Sequence, residues 1–155
     1  SAERLLCVAL NERMEQALKR VFLRLALLYP AEDILAAYQG AVSGRARLRG
    51  NAIEYLENAL AAEHRTLVMP VVEEIGDEAK LRLAERRYGL RSGGFGETLE
   101  ALIGSEDVWL RACALYVVGA RKEKQLLPQV RSNLTTLNAL VRETASWAEL
   151  ALAKG

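Results

Sequence analysis

Proline, histidine and cysteine are scarce in this chain of 155 residues, which carries three, one and two of them. So little proline beside 51% hydrophobic residues excludes a disordered segment, because disordered segments lack the apolar content that offsets chain entropy. Aromatics at 6% argue against an aromatic-rich β-sandwich. One histidine and two cysteines leave too few ligands for a structural zinc site, and no metal or cofactor is expected. Neither sign of charge dominates. Lys and Arg number 21 against 20 Asp and Glu, a net charge of +1, which is not the one-signed field of a dedicated nucleic-acid or anionic-membrane binder. Long hydrophobic runs are also missing. The most apolar stretch, 21–28, contains Arg24 and falls far short of the ~20 residues a bilayer crossing needs, so no direct membrane insertion is expected. Glu3, Arg4 and Asn11 interrupt the first apolar stretch, against a signal peptide. Cys7 and Cys113 stand among apolar neighbours and read as buried, reduced thiols, which places the protein in a reducing, cytoplasmic setting.

What the chain does have is helical periodicity nearly throughout. Leu6, Leu10, Met14, Ala17, Leu18, Val21, Leu25 and Leu28 recur at steps of three and four, the stripe of one long amphipathic helix. Pro30 ends it, since the residue before proline disfavours helix, and opens a second helix to about residue 42. Further helices are expected near 46–60, 63–76, 78–88, 97–104, 106–120, 122–133 and 138–153. No stretch alternates with the period of two that a strand requires, so the fold class is all-α. The opening Ser1-Ala2 fits a piece excised from a longer polypeptide, and 1–155 is read as a single domain.

Three of these helices share a pattern. Leu48-Arg49-x-x-Ala52, Leu110-Arg111-x-x-Ala114 and Val141-Arg142-x-x-Ala145 start 62 and then 31 residues apart, so a degenerate fourth copy is expected at 79–84. Ser43 and Ser105 precede the first two copies at the same offset and are candidate helix caps. Pro70 and Pro128 each lie in an apolar helical stretch, where proline kinks a helix. Each unit then reads as a kinked first helix followed by a straighter second helix. This pattern resembles HEAT repeats, whose second helix reads aliphatic-Arg-x-x-Ala and whose first carries the kinking proline. The resemblance is good over 44–60 and 105–152 and poor over 77–100, and the 31-residue step is short for the family. It implies a short right-handed α-solenoid of stacked antiparallel helix pairs. More weakly, the stretches 21–37, 48–60 and 107–119 look like the HEAT-like domains attached to bacterial membrane proteins resembling ATP/ADP carriers. That likeness implies a soluble, transporter-associated domain on the cytoplasmic face.

In such a stack one helix pair cannot bury its apolar face alone, so neighbouring pairs complete the core. Arg49, Arg111 and Arg142 then form a column and are expected to bridge adjacent repeats. Two further columns follow from helical phase. Glu54, Tyr116 and Trp147 point away from the core, and Arg47, Trp109 and Leu140 precede the motif. Second helices line the concave face of HEAT stacks, so Arg47, Glu54, Trp109, Tyr116 and Trp147 make a candidate partner groove rich in aromatics, the side chains enriched in interfaces. The competing reading places the tryptophans at the margin of the core.

Chemistry finds little support. His64 stands alone near a helix start and is expected to be solvent-exposed. The glycine-rich stretch 92–96 lacks the Lys-Ser/Thr of a phosphate loop and reads as a connection. No histidine accompanies the cysteines except His64, so an activated nucleophile is not expected. Arginines cluster at 45, 47 and 49 and at 82, 86, 87 and 91. Some HEAT-like proteins are DNA glycosylases that grip the backbone with such groups, but residues 61–120 hold ten acids against seven bases, which argues against nucleic acid. The expected function is a non-enzymatic protein-interaction or regulatory module whose partner is a protein or another domain of the same polypeptide. The alternative is a nucleic-acid-binding HEAT-like protein that uses the arginine clusters.

Overall fold

The computed structural model describes residues 1–73, 75–90 and 93–154. Among them are nine α-helices and one 3₁₀ turn, and no strand. The helices are α1 (Ala2–Leu25), α2 (Ala31–Val42), α3 (Ala46–Ala59), α4 (Ala62–Val72), α5 (Asp77–Tyr88), α6 (Phe95–Ile103), α7 (Val108–Arg121), α8 (Leu127–Ser132) and α9 (Ala139–Ala153), with the 3₁₀ turn at Lys124–Leu126. Each helix expected from periodicity has a counterpart with ends displaced by a few residues, except that 122–133 forms the 3₁₀ turn and the six-residue α8 in place of one helix. No helix is long and apolar enough to cross a membrane among the described residues.

The chain divides into two compact units. The first comprises 1–13 and 93–155, the second 14–92. In the first, α7 packs chiefly on α9, α6 packs on α7, and α8 on α9. Its core joins Leu6 and Ala9 of α1 to Leu99, Ile103, Leu115, Val118, Val130, Val141 and Ala148. In the second, α2 packs on α3 and α3 on α4. Its core gathers Phe22, Ile34, Ala37, Leu56, Val68 and Met69.

The stripe expected along α1 is only partly used. Leu6 and Leu25 are buried, but Met14 is 67% exposed and Ala17 is exposed, while Phe22, outside the stripe, is fully buried. The first residues of α1 belong to one core and the last to the other, so no single stripe serves the whole helix. Cys7 is exposed, contrary to expectation, and Cys113 is buried. Position 7 follows core residue Leu6 by one step, about 100° around the helix, and so faces away from that core.

Caps and prolines also differ from expectation in instructive ways. Asp107, not Ser105, caps α7, accepting from the backbone N–H groups of Trp109 and Leu110 at 3.0 Å each. Ser43 closes α2 instead of opening α3, its hydroxyl donating to the Gly40 carbonyl at 2.8 Å. Pro70 does lie inside α4. Its missing N–H leaves the Thr66 carbonyl without its helical donor, and the Arg87 guanidinium donates to that oxygen at 3.4 Å. Pro128, by contrast, kinks nothing. It sits in the first turn of α8, where its absent N–H would lack a partner anyway. The fourth copy at 79–84 is helical but builds no core, because no residue of α5 is buried.

Candidate interaction face

The three aligned helices share one burial register. Ala52, Ala114 and Ala145 are 5%, 0% and 0% exposed, the arginine three residues earlier is half-buried each time, and the residue two positions later is exposed. The arginines reach different acceptors. Arg49 donates from Nε to the Ala41 carbonyl at 3.1 Å, in the last turn of α2. Arg142 donates to the carbonyls of Thr136 and Leu137 at 2.9 and 3.3 Å, in the turn before α9. Arg111 donates from Nε to Oδ1 of Asn133 at 2.6 Å, leaving its own helix pair for the end of α8. Arg49 and Arg142 therefore bind backbone carbonyls of the segment just before their own helix, the former in the last turn of α2 where carbonyls lack helical donors. These bonds are not the expected bridge to a more distant helix, whereas Arg111 reaches a side-chain amide oxygen at the end of α8.

Asn133 is the acceptor that sequence reasoning missed. It is 2% exposed, and its amide nitrogen donates to the Gln129 carbonyl at 2.8 Å. Nothing in the run Ser132-Asn133-Leu134 marks it as buried. Arg111→Ala strips the donor from a buried amide oxygen, which costs ~1–3 kcal/mol. The lower half of that range is expected, because the bond to Gln129 survives. Exposed Arg45→Ala is expected to change stability by less than about 0.5 kcal/mol. Paired urea titrations of the two variants check this, and equal small effects would exclude a stabilising role for the Arg111–Asn133 bond.

Of the groove residues, the structure brings Tyr116 and Trp147 together. Their ring centroids lie 4.8 Å apart with planes tilted by 35°, an arrangement that contributes beyond simple burial. The rings are 40% and 42% exposed, so each covers the core with one side and meets solvent with the other. Close approach of α7 to α9 beneath them depends on Gly119. A Cβ placed there would come within 2.5 Å of the Trp147 ring and 2.9 Å of the Ala148 Cα. Trp109 stands seven residues before Tyr116 and Leu140 seven before Trp147, two helical turns along the same faces. They are 38% and 43% exposed. Arg47 and Glu54 are exposed on α3, in the second unit.

Asp107 adds a charged anchor at the start of α7. Besides capping the helix it accepts from Nε of Arg13 at 2.5 Å and from Nη2 at 3.3 Å. The Arg13 guanidinium, helped by the two backbone N–H groups, holds the Asp107 carboxyl down at about 2. An aspartate directly before the apolar run Val108-Trp109-Leu110 is a readable cap signal, whereas its Arg13 partner, 94 residues away, is not.

No group of residues that could hold a metal occurs among the described residues. Burial pushes the Cys113 thiol up, the opposite of what an activated nucleophile needs. His64 is half-buried, not solvent-exposed as expected, because Nδ1 lies 2.6 Å from the Tyr29 hydroxyl. Of the glycine-rich stretch, Ser92 lies outside the described residues, as does Arg91 of the second arginine cluster. Gly94 starts α6, with its N–H donating to Glu97 at 2.9 Å. The chain matches no protein-family model, and neither a curated protein nor a solved structure matches it significantly.

Proposed function

We propose that the chain is a non-enzymatic interaction module, built of short HEAT-like helix pairs, that binds a protein or another domain of its own polypeptide through the exposed side of α7 and α9. The observation that carries this reading is the Tyr116–Trp147 pair, two rings in tilted contact left about two-fifths exposed. Half-exposed aromatics with a fixed geometry lose little entropy on binding and dominate interface energetics. Trp109 and Leu140 extend the apolar surface along both helices. The recurring Arg-x-x-Ala register supports the repeat reading, and the likeness to domains attached to ATP/ADP-carrier-like proteins favours a partner within one polypeptide.

The test must separate binding from folding, because Trp147→Ala would also remove packing against α7. Leu140→Asp does so. Position 140 is 43% exposed in the first turn of α9, where a carboxylate is favoured by the helix dipole. The variant is expected to keep the wild-type melting midpoint and to lose partner capture from a lysate at least tenfold, the loss typical of truncating an interface anchor. Undiminished capture by Leu140→Asp and Tyr116→Ser together would reject this face.

A further inference from the structure

The second unit holds an apolar groove of about 390 Å³, at the small end of the ~300–1,000 Å³ typical of ligand pockets. Leu18, Val21 and Leu25 of α1 form one wall and Leu67 and Val71 of α4 the other, with Tyr88 beside them. These are not ordinary core residues. Val21, Leu67, Val71 and Tyr88 are 38%, 43%, 56% and 62% exposed, so the groove presents contiguous apolar surface to solvent, which marks a binding site more often than a plain surface.

Its polar lining is of one kind. Apart from the Tyr88 hydroxyl, only Arg24 and His64 bring polar side chains to the wall. Arg24 is exposed in the last turn of α1. The Tyr29 hydroxyl accepts from the Ala61 N–H at 3.0 Å and meets Nδ1 of His64 at 2.6 Å. The tautomer in which the Tyr29 hydroxyl donates to Nδ1 leaves Nε2 as a donor, and it is the one an anionic ligand would select. Glu63, 4.0 Å from Nε2, is 80% exposed and does not line the groove. Among the described lining residues there is no carboxylate.

An apolar trough with donors and positive charge but no acid suits one ligand chemistry. We infer that this groove binds a single-chain anionic amphiphile, a long-chain carboxylate whose chain lies along Leu67 and Val71 and whose head group is held by Arg24 with His64. The carboxylate accepts hydrogen bonds from the guanidinium, which is built for that geometry. The chain removes exposed apolar surface from water.

Calorimetric titration of the whole chain with monomeric dodecanoate, below its micelle concentration, tests the inference. Saturable binding of one molecule per chain is expected. Decanoate, shorter by two methylenes, should bind on the order of tenfold more weakly. Dodecyltrimethylammonium, with the same chain and the opposite charge, should bind at least about tenfold more weakly than dodecanoate. Arg24→Gln, at an exposed position, should keep the melting curve and weaken dodecanoate about tenfold, the value of a charge-assisted hydrogen bond, while leaving dodecanol unchanged. Val71→Asp should weaken both. Failure of dodecanoate to saturate, equal affinity for the anionic and cationic amphiphiles, or an Arg24→Gln variant that binds dodecanoate as wild type does would each overturn the inference. So would binding to anionic lipid vesicles without binding to monomeric dodecanoate.

Discussion

Replacing Gly119 by alanine is expected to destabilise the protein by about 1–3 kcal/mol, the usual cost of overpacking a filled site. Gly119→Val should reach or exceed the top of that range. Helix propensity alone predicts the opposite sign, since alanine is favoured over glycine by about 1 kcal/mol inside a helix and Gly119 is in the last turns of α7. The packing decides. The new Cβ would stand 2.5 Å from the Trp147 ring and 2.9 Å from the Ala148 Cα. A ring can rotate away, but a backbone atom moves only if α9 itself moves, and α7 on α9 is the main packing of the first unit. Urea titration gives the sign directly. Trp147→Phe in the Gly119→Ala background should recover part of the loss, because it shrinks the ring but leaves Ala148 in place. A stabilised Gly119→Ala would mean that the two helices do not approach this closely. The same experiment bears on the proposed interaction face, because Gly119 lets the Trp147 ring pack close to α7 beside Tyr116.

How far residues predict structure here depends on the range of the forces involved. Helices were legible because their signal is local: apolar spacing, Pro30 and the glycines lie within a few residues of what they determine. The Arg-x-x-Ala register was legible for the same reason, and burial of Ala52, Ala114 and Ala145 follows it. What a helix packs against was less so. The α1 stripe failed at Met14 because the helix serves two cores, and the 79–84 copy failed because an amphipathic pattern does not guarantee a neighbour to bury it. Individual partners were the least legible. Arg111 could be assigned a bridging role from its recurrence, but its acceptor, Asn133, carries no pattern of its own. Tyr116 and Trp147 were placed on one face by phase, yet nothing in the sequence says that their rings touch. The candidate face was therefore readable as a set of positions and not as a geometry.

Asp107→Ala should cost about 2–3 kcal/mol, because one carboxylate does two things. As the cap of α7 it satisfies two backbone donors, a role worth ~1 kcal/mol and up to ~2. As the partner of Arg13 it ties α1 to the start of α7 within the first unit, and the pair is only 33% and 28% exposed. The part that depends on the carboxylate's charge is read by pH. The folded carboxyl is held at about 2, against ~3.9 for a free aspartate. A carboxyl lowered in the folded state stabilises fully above the unfolded value and loses that contribution as pH falls through the folded one. The shift corresponds to at most ~2–3 kcal/mol, and partial exposure reduces the expected effect to about 1–2 kcal/mol. Wild type should accordingly be more stable than Asp107→Asn by a constant margin above about pH 5, with the margin shrinking between pH 4 and pH 2. Asparagine can still accept from Trp109 and Leu110, so a neutral cap survives in that variant and the margin reports the carboxylate's charge, chiefly toward Arg13 and secondarily toward the two backbone N–H groups. Added salt should shrink the margin only modestly, since a half-buried pair is screened less than a surface one. Denaturant midpoints measured at pH 7, 4 and 2.5 are enough to decide. A margin that stays constant down to pH 2.5 would show that Asp107 is an ordinary carboxylate and that the Arg13 contact contributes nothing to folding.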